Sequence, residues 1–532
     1  MEANCTYVPY AETGFFSKIV LDYLQQHEQL TPFYLHPPSV EGLQAAIENR
    51  RRFPQNREVL AGVLDEQYRA VDTTAAVKQN IQLLRQENSY TLTTAHQPNI
   101  FTGPLYFIYK ILHTIRLAAY CAEQFPGNHF IPVFYMGSED ADLDELGNIT
   151  LEGKRYEWKT KQTGAVGRMK VDKAFLSLLA EMEGQLGVLP HASEIIQLFR
   201  AHYTEGVLVQ QATLGVVNAL FGQYGLLVII PDDARLKQLF QPVLQKELLE
   251  GFSHTAVAPT LEALDKYYKV QAGGRELNLF YLLNDKRERI EKKNGRYEVP
   301  ALQLAFDEAG ILEELAAHPE RFSPNVILRG VFQETILPNI AFIGGGGELA
   351  YWLELKQVFA AAGVPYPVLL LRNSFLLVEK KWQEKLERLS ITLQDSFKPA
   401  QLLMNDLVQR HSKHKIGLNG ELDKVKALYK TIEQSATEVD ASLQQHVMAL
   451  QTRAVQKLEE LEKKMLRAEK RKFVTEQRQL EQVKAALFPG DSLQERVENI
   501  AGFYARYGRE LIDLVLQHSL ALEGQFGIIT LS

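Results

Sequence analysis

Tyr90-Thr91-Leu92-Thr93-Thr94-Ala95-His96-Gln97-Pro98-Asn99-Ile100-Phe101-Thr102-Gly103-Pro104 passes from an apolar run, through a polar turn, into the start of a helix. Residues 90–95 have the short, compact character of a strand buried on both faces, and 104–124 carry helical apolar spacing with Pro104 at the first turn. In an open α/β sheet, ligands bind beyond the carboxyl ends of the strands, and a following helix start offers unpaired N–H groups to an anion. His96, Gln97 and Asn99 are therefore candidate catalytic residues, with Thr102 a candidate binding residue. A plainer alternative is that Thr102 caps the helix and His96 is a hydrogen-bonded turn residue.

Working outward, further apolar runs at 130–136, 226–230, 339–343 and 367–371 alternate with helical stretches at 233–250 and 348–362, the pattern of a parallel α/β sheet. Two segments interrupt it. Residues 149–171 and 289–298 read as β-hairpins, the second marked by Asn294-Gly295, and both as parts of insertions at about 149–210 and 251–325. Beyond residue 385 the composition turns to Leu, Glu, Lys, Gln and Arg, so the chain divides into a sheet domain, 1–385, and a helical domain, 386–532. Leu443, Val447, Leu450, Ala454, Leu458, Leu461, Met465 and Ala468 step by three or four residues, the seam of a coiled coil. A helix at 422–435 is expected to pair with it as an antiparallel hairpin, and a final helix is expected at 493–520.

The other strand ends supply further candidates. Glu139 and Asp140 follow the run 130–136 in an acidic cluster, where so many carboxylates repel unless solvent, a metal or a substrate ammonium offsets them. Gly345, Gly346 and Gly347 would let backbone approach a ligand closely, although no Gly-Lys-Ser/Thr follows to make a P-loop. Arg372 is placed as an anion clamp, with Ser374 beside it. His411 and His414 have i, i+3 spacing, but the lysines between and beside them point to solvated surface, and no metal site is expected.

The 532 residues carry a net charge of −7, which gives no general attraction to nucleic acid. The presence of only 2 cysteines excludes a disulfide framework and fits a reducing compartment, so a cytoplasmic protein is expected. No apolar run approaches the roughly 18 residues of a membrane span, and no membrane partner is expected.

Taken in order, the blocks 96–106, 136–140, 332–338 and 344–352 resemble the BshC family, described as cysteine ligases of bacillithiol biosynthesis. Asn278-Leu279-Phe280-Tyr281, Ala468-Glu469-Lys470-Arg471, Leu487-Phe488-Pro489 and Leu493-Gln494-Glu495-Arg496 extend the likeness over nearly the whole chain. The resemblance implies a Rossmann-like core with connecting-peptide insertions and a C-terminal coiled coil supporting a homodimer. It also implies a reaction in which cysteine is joined through its carboxyl group to the amine of glucosaminyl-malate, with ATP or another nucleotide expected for activation. The chain departs from related nucleotidylyltransferase-like sites in having Asn99 where a second histidine stands, and Arg372-Asn373-Ser374 in place of a lysine-rich signature. Two other functions fit the same residues: a non-catalytic coiled-coil scaffold of a thiol pathway, and an aminoacyl-transferase of another substrate.

Overall fold

In the computed structural model, residues 3–412, 414 and 417–531 are described. The lysines at 413 and 415, which weighed against a metal pair at His411 and His414, lie outside them. The stretch 90–95 forms strand β1 (Ser89–His96), buried at every position. It is joined in one sheet by β2 (His129–Met136), β3 (Leu227–Ile229), β4 (Asn339–Gly344) and β5 (Val368–Leu371) in the order β5-β4-β1-β2-β3, every neighbouring pair parallel. All five strands are those the apolar runs predict.

The order explains the location of the ligand-binding end. Chain direction moves from β1 through helix α1 (Tyr106–Gln124) to β2 and then β3, and returns on the other side of β1 as β4 and β5. Such a reversal opens a crevice at the carboxyl ends of the strands on either side of it. Register aligns those ends: His96 faces Met136, Thr94 faces Ile343, and Gly344 faces Leu371.

The central strand carries threonines because each finds a partner. Thr91 and Thr93 donate to Asn339 Oδ1 at 3.3 and 2.8 Å, and Thr94 donates to the Ile343 carbonyl at 2.8 Å. One apolar face packs Leu43, Ala46 and Ile47 of the helix Val40–Arg51, together with Leu117 and Cys121 of α1, on Leu92, Ala341 and Leu370.

The insertions combine helix and strand. Asn148–Leu151 pairs with Lys154–Glu157 as expected, but most of the first insertion is helical, with Lys173–Leu186 and Ala192–His202. Asn294 and Gly295 have φ of 50° and 77°, which turn Glu291–Lys293 back onto Arg296–Val299. A hairpin that the sequence does not announce, Leu279–Leu283 with Lys286–Arg289, pairs with Phe322–Pro324.

Two compact units result: Met1–Leu376 with Ser492–Ile529, and Leu377–Asp491 with Thr530–Ser532. Residues 492–529 thus fold with the sheet, so the compositional boundary near 385 marks only the first of three chain crossings between the units. The single helix expected at 493–520 is instead a short turn, Gln494–Arg496, and two helices, Ile500–Tyr507 and Glu510–Gln517, interrupted by Gly508 at φ 65°. The second unit is helical. Asn419–Val439 and Leu443–Lys470 lie against each other as a hairpin, and Ser442 N–H donates to Asp440 at 2.8 Å in the turn between them.

Under the sheet, Arg50 donates to the Asn339 and Glu334 carbonyls at 2.7 Å each and pairs with the Glu334 carboxylate at 2.6 Å, both side chains being almost fully buried. Asn339 and Gln333 donate to the other oxygen of Glu334. Removing one member of a buried pair strands the other charge, so Arg50→Met is expected to lower stability by about 3–5 kcal/mol in urea unfolding, while Arg50→Met with Glu334→Leu costs less.

Candidate functional site

The carboxyl ends of all five strands meet around a cavity of about 730 Å³. His96, Gln97, Glu139, Asp140, Gly345, Gly346, Gly347 and Arg372 line it. Asn99, Thr102 and Ser374 lie behind its wall. A larger cavity, about 1020 Å³, beside residues 50–58 and 85–88 gathers none of the candidates.

His96 ends β1. Its Nδ1 lies 2.6 Å from Gln97 Oε1, its Nε2 lies 3.1 Å from the Tyr106 hydroxyl, and the imidazole stacks on the Tyr106 ring at 5.3 Å. Burial, reinforced by the nearby Lys110 charge, pushes the His96 pKa down to about 3, so the ring is neutral at physiological pH and works through hydrogen bonds. Gln97 Nε2 donates to Asp140 at 3.0 Å, joining the ends of β1 and β2.

The acidic cluster divides by environment. Glu139 is ion-paired with the buried Lys237, accepts from Ser323 at 3.3 Å and is itself buried, so its charge is already offset. Lys237 also donates to the Phe322 carbonyl at 2.9 Å, tying the second insertion to the β2 end. Glu139 is thus held by its own ion pair, whereas Asp140, the other acidic candidate, lines the cavity together with Glu145. Partial burial, then Asp142 and Asp140, raise the Glu145 pKa.

Arg372 differs from the free clamp its position suggests. Its guanidinium pairs with the buried Glu495 at 2.7 Å and donates to Ser374 Oγ at 3.0 Å, and the Ser374 hydroxyl donates to the same carboxylate at 3.1 Å. Burial works against this charge, but Glu495 outweighs it and raises the Arg372 pKa. Ser374 therefore serves the ion pair.

Cations that the sequence did not single out are better placed. Arg287, on the unannounced hairpin, lies 3.9 Å over the Phe280 ring and donates to Ser323 Oγ and the Pro324 carbonyl at 3.1 and 3.3 Å. Arg329 donates to the Tyr351 hydroxyl. Both line the cavity, and among the described residues neither has a carboxylate within ion-pair distance. Arg275, Arg289 and Arg496 also line the cavity. The cavity thus carries both signs of charge, the carboxylates Asp140 and Glu145 together with guanidinium groups that have no ion-pair partner among the described residues.

The glycine loop is fixed from below. Lys110 donates to the Ala95 carbonyl at 2.9 Å and pairs with Glu348, whose carboxylate accepts the Gly345 N–H at 2.9 Å. Burial alone would raise the Glu348 pKa; Lys110 overcomes it, and the carboxylate is held below its usual range. A Cβ at Gly347 would meet nothing within 4 Å, so the loop's open side faces free space. A lysine inside the apolar run Ile108-Tyr109-Lys110-Ile111-Leu112 is the sequence signal that could have disclosed this pair.

Comparison with known proteins divides the chain once, close to the first boundary between the two units. Residues 1–373 match the family described as bacillithiol biosynthesis BshC, N-terminal Rossmann-like domain, and residues 375–531 match the BshC C-terminal coiled-coil domain. The chain belongs to the BshC family. Relatives named "Putative cysteine ligase BshC" include those of Flavobacterium johnsoniae, 38% identical over 100% of both chains, and Christiangramia forsetii, 37% identical over 100% of this chain and 99% of that one. The BshC relative of Flavobacterium psychrophilum is 37% identical over 99% of each chain. A solved structure described as a "putative arginyl t-RNA synthetase" from Campylobacter jejuni aligns with 85% of this chain and 98% of its own at 12% identity, but with a TM-score of 0.21 it carries no argument about function or fold. Among the described residues no helix is long and apolar enough to cross a membrane.

A neutral buried His96 has a measurable consequence. Its folded pKa lies below the ordinary value of 6.5, so the unfolded chain binds the proton first, and stability present above pH 6.5 is lost as pH falls toward 3. Nitrogen-15 NMR of the imidazole is expected to show a neutral ring from pH 8 to pH 5, whereas a ring half-protonated near pH 6.5 would contradict the burial argument.

Proposed function

We propose that the cavity is the active site of an amide-forming cysteine ligase that joins the cysteine carboxyl group to the amine of glucosaminyl-malate. The mixed lining of carboxylates and guanidinium groups is the observation that carries this reading. One reactant brings an ammonium group and a carboxylate, and the other brings an amine and the two carboxylates of malate. A volume of about 730 Å³ suits more than one small reactant.

Asp140 and Glu145 are assigned to the ammonium groups, and the raised pKa of Glu145 suits it to take the proton that the attacking amine must shed. Arg287 and Arg329 are assigned to the malate carboxylates, a role that Arg372, committed to Glu495, leaves to them. Gln97, His96 and Tyr106 would donate hydrogen bonds to the reacting carboxylate and to the oxygen that develops negative charge.

A carboxylate and an amine do not condense readily in water, so a nucleotide such as ATP is the expected co-substrate. Phosphoryl or adenylyl transfer places a leaving group on one carboxylate oxygen of cysteine. The amine then attacks the acyl carbon, the carbonyl keeps the other oxygen, and the first departs with phosphate or AMP. The open backbone at Gly347, in the first turn of the helix that follows β4, is where phosphate oxygens would approach main-chain N–H groups.

The coiled-coil hairpin is assigned to homodimerisation with a second copy. Leu428, Ile432, Leu450 and Leu461 are exposed on it, and the charged helix faces offer no competing nucleic-acid platform. This assembly, and a cytoplasmic location, complete the reading.

The test is reconstitution with cysteine, glucosaminyl-malate and ATP, the product being followed by mass. Wild-type protein is expected to yield the amide. Arg287→Met and Arg329→Met are each expected to raise KM for the amino-sugar substrate by about 10- to 100-fold with a smaller change for cysteine. No product with ATP, other nucleotides or cell extract would overturn the assignment.

A further inference from the structure

The turn between β1 and α1 is held in a conformation its residues disfavour. Phe101 has φ 48° and Thr102 has φ 71°, followed by Gly103 at φ 64°. A β-branched residue at positive φ is a true outlier, and two such non-glycine residues in succession persist only where their surroundings over-determine them. Among the described residues neither buried Thr102 Oγ1 nor buried Asn99 Oδ1 has a hydrogen-bond partner, so the strain is not offset by local side-chain bonds.

The restraint comes from elsewhere in the chain. Asn499, buried in the returning C-terminal segment, donates through Nδ2 to the Phe101 carbonyl at 2.8 Å and the Gly103 carbonyl at 2.5 Å. The next residue but one of the turn is held too, since Leu105 N–H donates to the Glu498 carbonyl at 2.8 Å. Phe101 itself is seated among Phe175, Phe199 and Tyr203 of the first insertion at 4.8, 5.2 and 5.2 Å. On one side of this turn stand His96 and Gln97, on the other Tyr106, all three lining the cavity, with His96 bonded to Tyr106.

We propose that Asn499 is a positioning residue of the active site: its carboxamide clamps the left-handed Phe101–Gly103 turn and so fixes Tyr106 against His96. Asn499 also has a second, purely structural duty. Its Oδ1 accepts the Ala501 N–H at 2.9 Å and caps the helix Ile500–Tyr507. The two duties use different atoms, which allows them to be separated. The inference rests on the ligase reading only for the kinetic part of its test.

Asn499→Ser keeps a good helix cap but is too short to reach both carbonyls. Thr102→Gly removes the steric penalty of positive φ at that position. In the full-length protein, hydrogen exchange followed by mass spectrometry is expected to accelerate by at least about tenfold in peptides covering 97–106 of Asn499→Ser, with peptides covering 500–507 unchanged. Adding Thr102→Gly is expected to recover part of the lost protection. In the reconstituted reaction, kcat of Asn499→Ser is expected to fall by about 100-fold with KM little changed, and Thr102→Gly to restore part of it. Unchanged exchange at 97–106, or acceleration that Thr102→Gly does not reverse, overturns the proposal. If wild-type protein forms no amide, the ligase reading falls and the exchange measurements decide the clamp on their own.

Discussion

Lys110 lines the cavity, bonded to the Ala95 carbonyl at the end of β1 and paired with Glu348, which in turn accepts the Gly345 N–H. One ammonium group thereby links a strand end, the helix that follows it and a loop far along the chain. A buried lysine without its carboxylate would face a desolvation cost that no neighbouring carbonyl can offset, so the pair forces the glycine loop to close over the β1 end. The protonation of His96 responds to this arrangement as well, because burial first and then the Lys110 charge keep the imidazole neutral.

The same logic sorts the charged groups of the cavity. Glu139, Arg372 and Glu348 each have a buried partner, in Lys237, Glu495 and Lys110, and hold the walls in place. Among the described residues Asp140, Arg287 and Arg329 lack an opposite charge at ion-pair distance and retain their field for what enters. On the proposed ligase reading, such a division between paired supports and unpaired contacts suits zwitterionic and polyanionic reactants, since a partly desolvated charge is stabilised by a ligand that completes the pair.

The sheet was legible because each strand is a short apolar run buried on both faces, and Asn294-Gly295 announced its hairpin through the positive φ that both residues adopt. The Leu279–Leu283 hairpin was missed because its turn uses Asn284-Asp285, a weaker signal, and Arg287 was missed with it. Apolar spacing over 493–520 suggested one helix, but Gly508 in the left-handed region breaks it, and Gln525–Leu531 then forms a strand. Most of the site's strand ends could be found from sequence, since topology alone brings them together. Which of its charges were already neutralised could not, because Glu495 lies 123 positions from Arg372 and nothing local to either residue reveals the other.

The sheet unit is discontinuous: residues 377–491 intervene between its main body and the segment that carries Glu495, Glu498 and Asn499. On a ribosome, which releases the chain from its amino end, every strand of the parallel sheet is therefore made well before the residues that neutralise Arg372 and hold the 101–103 turn. The nascent chain passes through an interval in which its parallel core can be paired yet its pocket is unfinished, and a complete pocket must wait until residues 495–499 have emerged.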